Sequence, residues 1–151
     1  MCRWIIKVGV LFISAVVLWN CEAVAPDESL TLDDPGVIRI IYNGLSQDGE
    51  RSQASFTLVN DSTESIQYFA YDPVSMHYST EALADTGWAY LAWNWCGTGA
   101  DYQPLEAGNQ VDFFTDLPAT SCTWRVVLNI ADMDLTTSYM LRSESLLYIA
   151  P

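Results

Sequence analysis

The sequence predicts an all-β fold, a single antiparallel β-sandwich of about seven to eight strands on residues 36–151. Three observations predict it. From Gly36 to the end, short runs rich in Val, Ile, Thr and aromatic residues alternate with turn residues. No long amphipathic pattern of helical period separates those runs. Half of the 151 residues are hydrophobic and only 17% are charged, which is enough apolar material for one core. The same figures exclude a disordered, collagen-like or coiled-coil chain.

Residues 37–45 (VIRIIYNGL) form the first expected strand, and Ser46-Gln47-Asp48-Gly49 supplies turn residues after it. Residues 52–60 (SQASFTLVN) alternate, with Ala54, Phe56 and Leu58 on one face and Gln53, Ser55 and Thr57 on the other. Asn60-Asp61-Ser62 then turns the chain into residues 65–71 (SIQYFAY). Residues 79–83 (STEAL) are the one helical candidate, too short to stand alone and expected as a single turn. The next strand is 88–95 (WAYLAWNW). After a turn over 104–108 (PLEAG), residues 110–117 (QVDFFTDL) form another. Residues 124–130 (WRVVLNI) place Trp124, Val126, Leu128 and Ile130 together, and residues 145–149 (SLLYI) close the domain.

Three features of this layout carry a resemblance. Phe56-x-Leu58-x-Asn60-x-Ser62, the Gly87-Trp88 strand start and Leu105-x-x-Gly108 ahead of an apolar strand resemble immunoglobulin-like domains of secreted bacterial proteins. Ala107 stands where proline is usual. Trp95-Cys96-Gly97-Thr98-Gly99 resembles a motif of small uncharacterised bacterial lipoproteins with the same layout. The resemblance implies an immunoglobulin-like sandwich and an exported setting, and it carries no activity.

The amino terminus reads as an address. Met1 to Lys7 holds two bases and no acid, and residues 8–19 (VGVLFISAVVLW) are apolar apart from Ser14. About 12 apolar residues are too few to span a bilayer as a helix and fit the hydrophobic region of a signal peptide, residues 1–20. Leu18-Trp19-Asn20-Cys21 resembles the lipobox of bacterial lipoproteins, which implies acylation of Cys21 and a membrane anchor, although Trp19 and Asn20 replace its small residues. The competing site is Ala23-Val24-Ala25, followed at once by Pro26. Residues 21–35, acidic and with two prolines, read as a tether after the anchor.

There are four cysteines. Cys2 leaves with the signal peptide and Cys21 takes the acyl chains, so Cys96 and Cys122 remain as a pair in an oxidising compartment. A disulfide between them is the expectation, contributing ~3 kcal/mol through the unfolded state. Zinc fits poorly, since His77 is the only histidine and no CxxC spacing occurs.

Charge narrows the partners. From Cys21 onward, Arg39, Arg51, Arg125 and Arg142 stand against all nineteen acids, a net of −15. Such a surface repels nucleic acid and anionic lipid headgroups. The candidate binding surface is aromatic: Trp88, Tyr90, Trp93 and Trp95. Strict alternation puts Trp88 and Tyr90 on one face and Trp93 and Trp95 on the other. One set would fill the core; the other either lies under a covering loop, with Trp95 packed on the Cys96–Cys122 bridge, or stands on the outer surface, where it can stack on sugar rings or anchor a partner. Gly97-Thr98-Gly99 lacks the lysine and helix of a phosphate loop and reads as a turn. Asp33-Asp34 and Asp132-Met133-Asp134 offer carboxylate oxygens but match no twelve-residue calcium loop. No nucleophile, base and orienting group can be assembled around His77, so catalytic residues, metal ligands and a cofactor are all expected to be absent. The expected role is non-catalytic, a binding or structural part of the bacterial cell envelope, with an envelope protein or glycan as partner. The alternatives are a carbohydrate- or protein-binding module using the 88–95 aromatics, or an inhibitor of exported proteases presenting the loop over 96–102.

Overall fold

The computed structural model describes residues 37–48, 51–94 and 98–150. The expected signal peptide, Cys21, the tether, Trp95 and Cys96 lie outside the described residues. Ten strands form: β1 (Ile38–Asp48), β2 (Arg51–Asn60), β3 (Ile66–Ala70), β4 (Tyr78–Ala84), β5 (Gly87–Trp93), β6 (Asp101–Leu105), β7 (Gln110–Asp116), β8 (Cys122–Asp132), β9 (Ser138–Arg142) and β10 (Leu146–Tyr148). All pairings are antiparallel.

One sheet is three-stranded, in the order β1-β2-β7, and the other contains the remaining seven strands. The registers reduce those seven to four lanes. β8 is the central lane. On one side it pairs with β4 through residues 124–128 and with β3 through residues 130–132. On the other side it pairs with β10 and β9. β5 and β6 form the outer lane beyond β4 and β3. Counted as lanes in chain order, the sheets read 1-2-5 and 4-3-6-7, an immunoglobulin-like sandwich with Greek-key crossing between layers.

The core forms where the alternating patterns meet. Ala54, Phe56 and Leu58 face inward from β2, and Trp124, Val126, Leu128 and Ile130 face inward from β8, all buried. Phe56 stacks on Phe113 at 5.5 Å and meets Trp124 edge-on at 6.0 Å, so three rings join the two sheets.

The chain departs from the sequence expectation at several places. Ser46, Gln47 and Asp48 extend β1, paired with Gln53, Ser52 and Arg51, rather than forming a turn. Residues 79–83 are in strand β4, because Tyr78 and Thr80 bury alternately and β4 is paired on both sides, by β8 and β5. Tertiary pairing overrides a weak local helix preference. Pro104 lies inside β6 rather than in a turn; β6 is an edge lane, where a proline removes no bond from the sheet interior. β9 was not anticipated, since its Ser138-Tyr139-Met140-Leu141-Arg142 run shows little contrast between faces.

Candidate functional site

The site is built on β5, and a bulge decides it. Gly87, at φ +117°, opens the strand after the two-residue turn Asp85-Thr86. Trp88 then pairs with Leu83 and Tyr90 with Glu81, but Thr80 pairs with Ala92 and Ser79 with Trp93, so Leu91 is an extra residue on β5. Leu83, Glu81 and Ser79 are alternate residues of β4 and share its outer face, since Tyr78 and Thr80 bury toward the core. Trp88, Tyr90 and Trp93 therefore all stand on the outer face of the four-lane sheet. The expectation that Trp93 faces away from Trp88 and Tyr90 is corrected: strict alternation fails once one residue is inserted. Trp95 lies outside the described residues.

Tyr90 is 61% exposed and Trp93 55% exposed, and their rings meet nearly perpendicular (89°) with centroids 6.3 Å apart. Trp88 is half-buried, with the Arg125 guanidinium 4.0 Å from the centre of its ring. Arg125 is held in place by Glu81, the residue directly opposite it on β4: its Nε donates to Glu81 Oε2 at 2.7 Å and its Nη2 lies 2.7 Å from the same oxygen. Arg142 approaches that oxygen too, its Nε at 3.6 Å. The centre of this face thus has two positive groups for one negative, in a chain that is otherwise strongly acidic. No local sequence signal points to this trio, because Glu81 is separated from its partners by 44 and 61 positions.

A second ring cluster continues the same face. Phe69 lies 5.2 Å from Tyr102 and 5.1 Å from His77, with Tyr71 6.1 Å from His77. Asn94 ties this cluster to the end of β5. Its Nδ2 donates to the Met76 carbonyl at 2.8 Å, its Oδ1 accepts from the Tyr78 amide at 2.8 Å, and its carbonyl accepts from the Tyr71 hydroxyl at 2.9 Å. Desolvation among these rings lowers the pKa of His77 and favours the neutral imidazole. Its ring neighbours among the described residues are Phe69 and Tyr71.

Cys122 opens β8 opposite Tyr148 and carries a free thiol, with its pKa raised by burial. The expected bridge to Cys96 is therefore not made at its Cys122 end, and Cys96 lies outside the described residues. The register supplies a reason. β5 ends at Trp93, opposite Ser79, which pairs with Val127. Val127 is five residues beyond Cys122, about 17 Å along the strand.

The Asp132-Met133-Asp134 segment is a turn between β8 and β9. Asp132 Oδ2 accepts from Thr136 Oγ1 at 2.8 Å and from the Thr137 amide at 3.0 Å, and Asp134 Oδ1 accepts from Thr136 Oγ1 at 3.0 Å. Desolvation raises the Asp132 pKa, but these donors outweigh it and hold the carboxyl at about 2. The carboxylates close the turn. Among the described residues, no group of three or more His, Cys, Asp or Glu is placed to hold a metal ion. In the loop ahead of β6, Thr98 and Gly99 are exposed, while Tyr102 is already in β6, paired with Phe69.

No protein-family model matches the chain, and no curated protein matches it. Among solved structures it is similar to one described as "X-ray structure of Northeast Structural Genomics Consortium target SoR45", at 11% identity and a TM-score of 0.34, over 76% of this chain and 84% of that one. A likeness of that degree carries no functional argument.

Proposed function

We propose that this chain is an exported, non-catalytic binding module of the bacterial cell envelope, anchored through acylated Cys21 on the acidic tether 21–35, that holds a saccharide chain on the outer face of its four-lane sheet. The observation that carries the reading is the contiguous exposed pair Tyr90 and Trp93. One ring offers a face on which a sugar ring can stack while the other flanks it. The Arg125–Glu81–Arg142 trio beside them supplies charged hydrogen-bonding groups for hydroxyls.

Two measurements test it. In affinity electrophoresis through gels containing soluble envelope polysaccharides, the full chain is expected to be retarded. Tyr90→Ala and Trp93→Ala should each weaken that retardation about tenfold or more, the usual effect of truncating a central aromatic anchor. Retardation by no polysaccharide, or retardation indifferent to both substitutions, sinks the saccharide reading. For the anchor, intact mass of the protein from its native membrane fraction should show a chain starting at Cys21 with a diacylglyceryl-type addition. An unmodified chain starting beyond Ala23 overturns it.

A further inference from the structure

β5 is an edge strand whose only partner among the described residues is β4. Edges of this kind are ordinarily blunted by lysine, by proline or by a cover. β5 has no charged residue and no proline from Gly87 to Trp93. Every residue from Ala89 to Trp93 is exposed, including Ala89 and Ala92 on the side of the strand that would face the core. Among the described residues the three-lane sheet therefore leaves Ala89 and Ala92 exposed on that side.

The segment also has a near-palindromic order, Trp88-Ala89-Tyr90-Leu91-Ala92-Trp93. Two antiparallel copies related by a two-fold axis at its centre would set Trp88 opposite Trp93 of the second copy and Ala89 opposite Ala92. The Tyr90-Leu91 pair would lie opposite its own equivalent. In an antiparallel ladder, residues directly opposite must share a face. A regular strand would fail that condition, because positions 88 and 93 differ by an odd number. The inserted Leu91 restores it: Trp88, Tyr90 and Trp93 share the outer face, while Ala89 and Ala92 share the other, since they pair with Ala82 and Thr80.

We infer that β5 is a self-pairing edge and that its occupant is β5 of a second copy of this chain, giving a two-fold dimer with one continuous eight-lane sheet. A two-fold contact of this kind is isologous and closes at two copies. Each copy carries −15 from Cys21 onward, yet the strands that meet hold no charged residue, so the shared ladder itself brings no like charges together. The axis runs perpendicular to the sheet, so both sets of outer-face rings lie on one side, Trp88 of one copy beside Trp93 of the other. Such cross-strand aromatic pairs stabilise a ladder. The dimer doubles the ring platform, but it does not depend on a saccharide being the ligand.

Sedimentation equilibrium of the full chain, without any saccharide, tests this separately from the binding reading. At about 100 μM the full chain should sediment as a dimer, whose population depends on concentration. Ala92→Lys and, independently, Ala89→Lys should raise the dimer dissociation constant at least about 100-fold, because each places two charges in the shared ladder. Leu147→Lys, on the exposed β10 in the opposite edge lane, should leave the dimer unchanged. Near-UV circular dichroism identifies any variant that has lost its fold. The inference is overturned if the parent is monomeric at that concentration, if both folded alanine variants keep the parent mass, or if Leu147→Lys dissociates the dimer equally.

Discussion

Replacing Trp124 with alanine is expected to lower the free energy of unfolding by about 3–5 kcal/mol, measured as a fall in the denaturant midpoint at unchanged slope. The indole is 2% exposed at the centre of the sandwich and meets Phe56 edge-on, with Phe56 in turn stacked on Phe113. Trp124 comes from β8 in one sheet, and Phe56 and Phe113 come from β2 and β7 in the other, so its removal opens a cavity at the junction of the layers. Close-packed neighbours on two hydrogen-bonded sheets relax only partly into such a space. A domain of this size has roughly 5–15 kcal/mol in total, so the loss is a large fraction of it. Trp124→Phe, which keeps an aromatic ring, should cost clearly less. A loss below about 1.5 kcal/mol for the alanine variant would falsify this account of how the layers are joined.

The second large effect is expected at Asn60, where alanine should cost about 3 kcal/mol although the side chain is small and polar. Asn60 is fully buried, and every polar group it has is engaged. Its Nδ2 donates to the carbonyls of Glu64 at 2.9 Å and Leu105 at 3.1 Å, with a longer contact to Glu106 at 3.3 Å. Its Oδ1 accepts from the Ser62 hydroxyl at 2.6 Å and the Ser62 amide at 3.2 Å. Its own amide donates to the Asn109 carbonyl, and its carbonyl accepts from the Gly108 amide. One residue thereby clamps the end of β2 to the start of β3 and to the β6–β7 turn. Alanine leaves the buried Leu105 carbonyl without this donor and the Ser62 hydroxyl and amide without their acceptor, and each orphaned group costs about 1–3 kcal/mol. Asn60→Asp, which keeps the acceptor and loses the donors, should be at least as damaging. Thermal unfolding of the two variants decides the matter: a shift of only a degree or two for either would show that water replaces the lost donors.

The two positions differ in how visible they are in the sequence. Trp124 belongs to the alternating run with Val126, Leu128 and Ile130, and a period of two with one apolar face is enough to assign it to a buried face. Asn60 is visible as the turn residue of an Asn-x-Ser pattern, but its reach to Leu105 and Glu106 is not, because those carbonyls lie 45 and 46 positions away. The outer-face trio is illegible for the same reason. Glu81 sits in a segment whose local composition suggests a helical turn, and it acquires Arg125 and Arg142 only when β4 is laid beside β8 and β9 beyond it. The aromatic richness of residues 88–95 is plain in the chain, whereas the sharing of one face by Trp88, Tyr90 and Trp93 is not. A bulge is a property of two strands in register: Leu91 is surplus only relative to Thr80 and Glu81 on β4.

By itself the amino-acid sequence determined the all-β class, the inward residues of β2 and β8, the turn at Asn60-Asp61-Ser62 and the strongly acidic net charge. Each of these follows from composition or from contacts a few residues apart, where side-chain period, turn chemistry and net charge act locally. Only the tertiary structure decided that residues 79–83 extend as a strand, that Cys122 keeps a free thiol and that Trp93 turns to the side of Tyr90. For residues 79–83 the deciding interaction is pairing with the distant β8, and for Trp93 it is the register of the β4–β5 hairpin. The energy of a β-ladder is gained across strands rather than along them, so a local reading cannot weigh it.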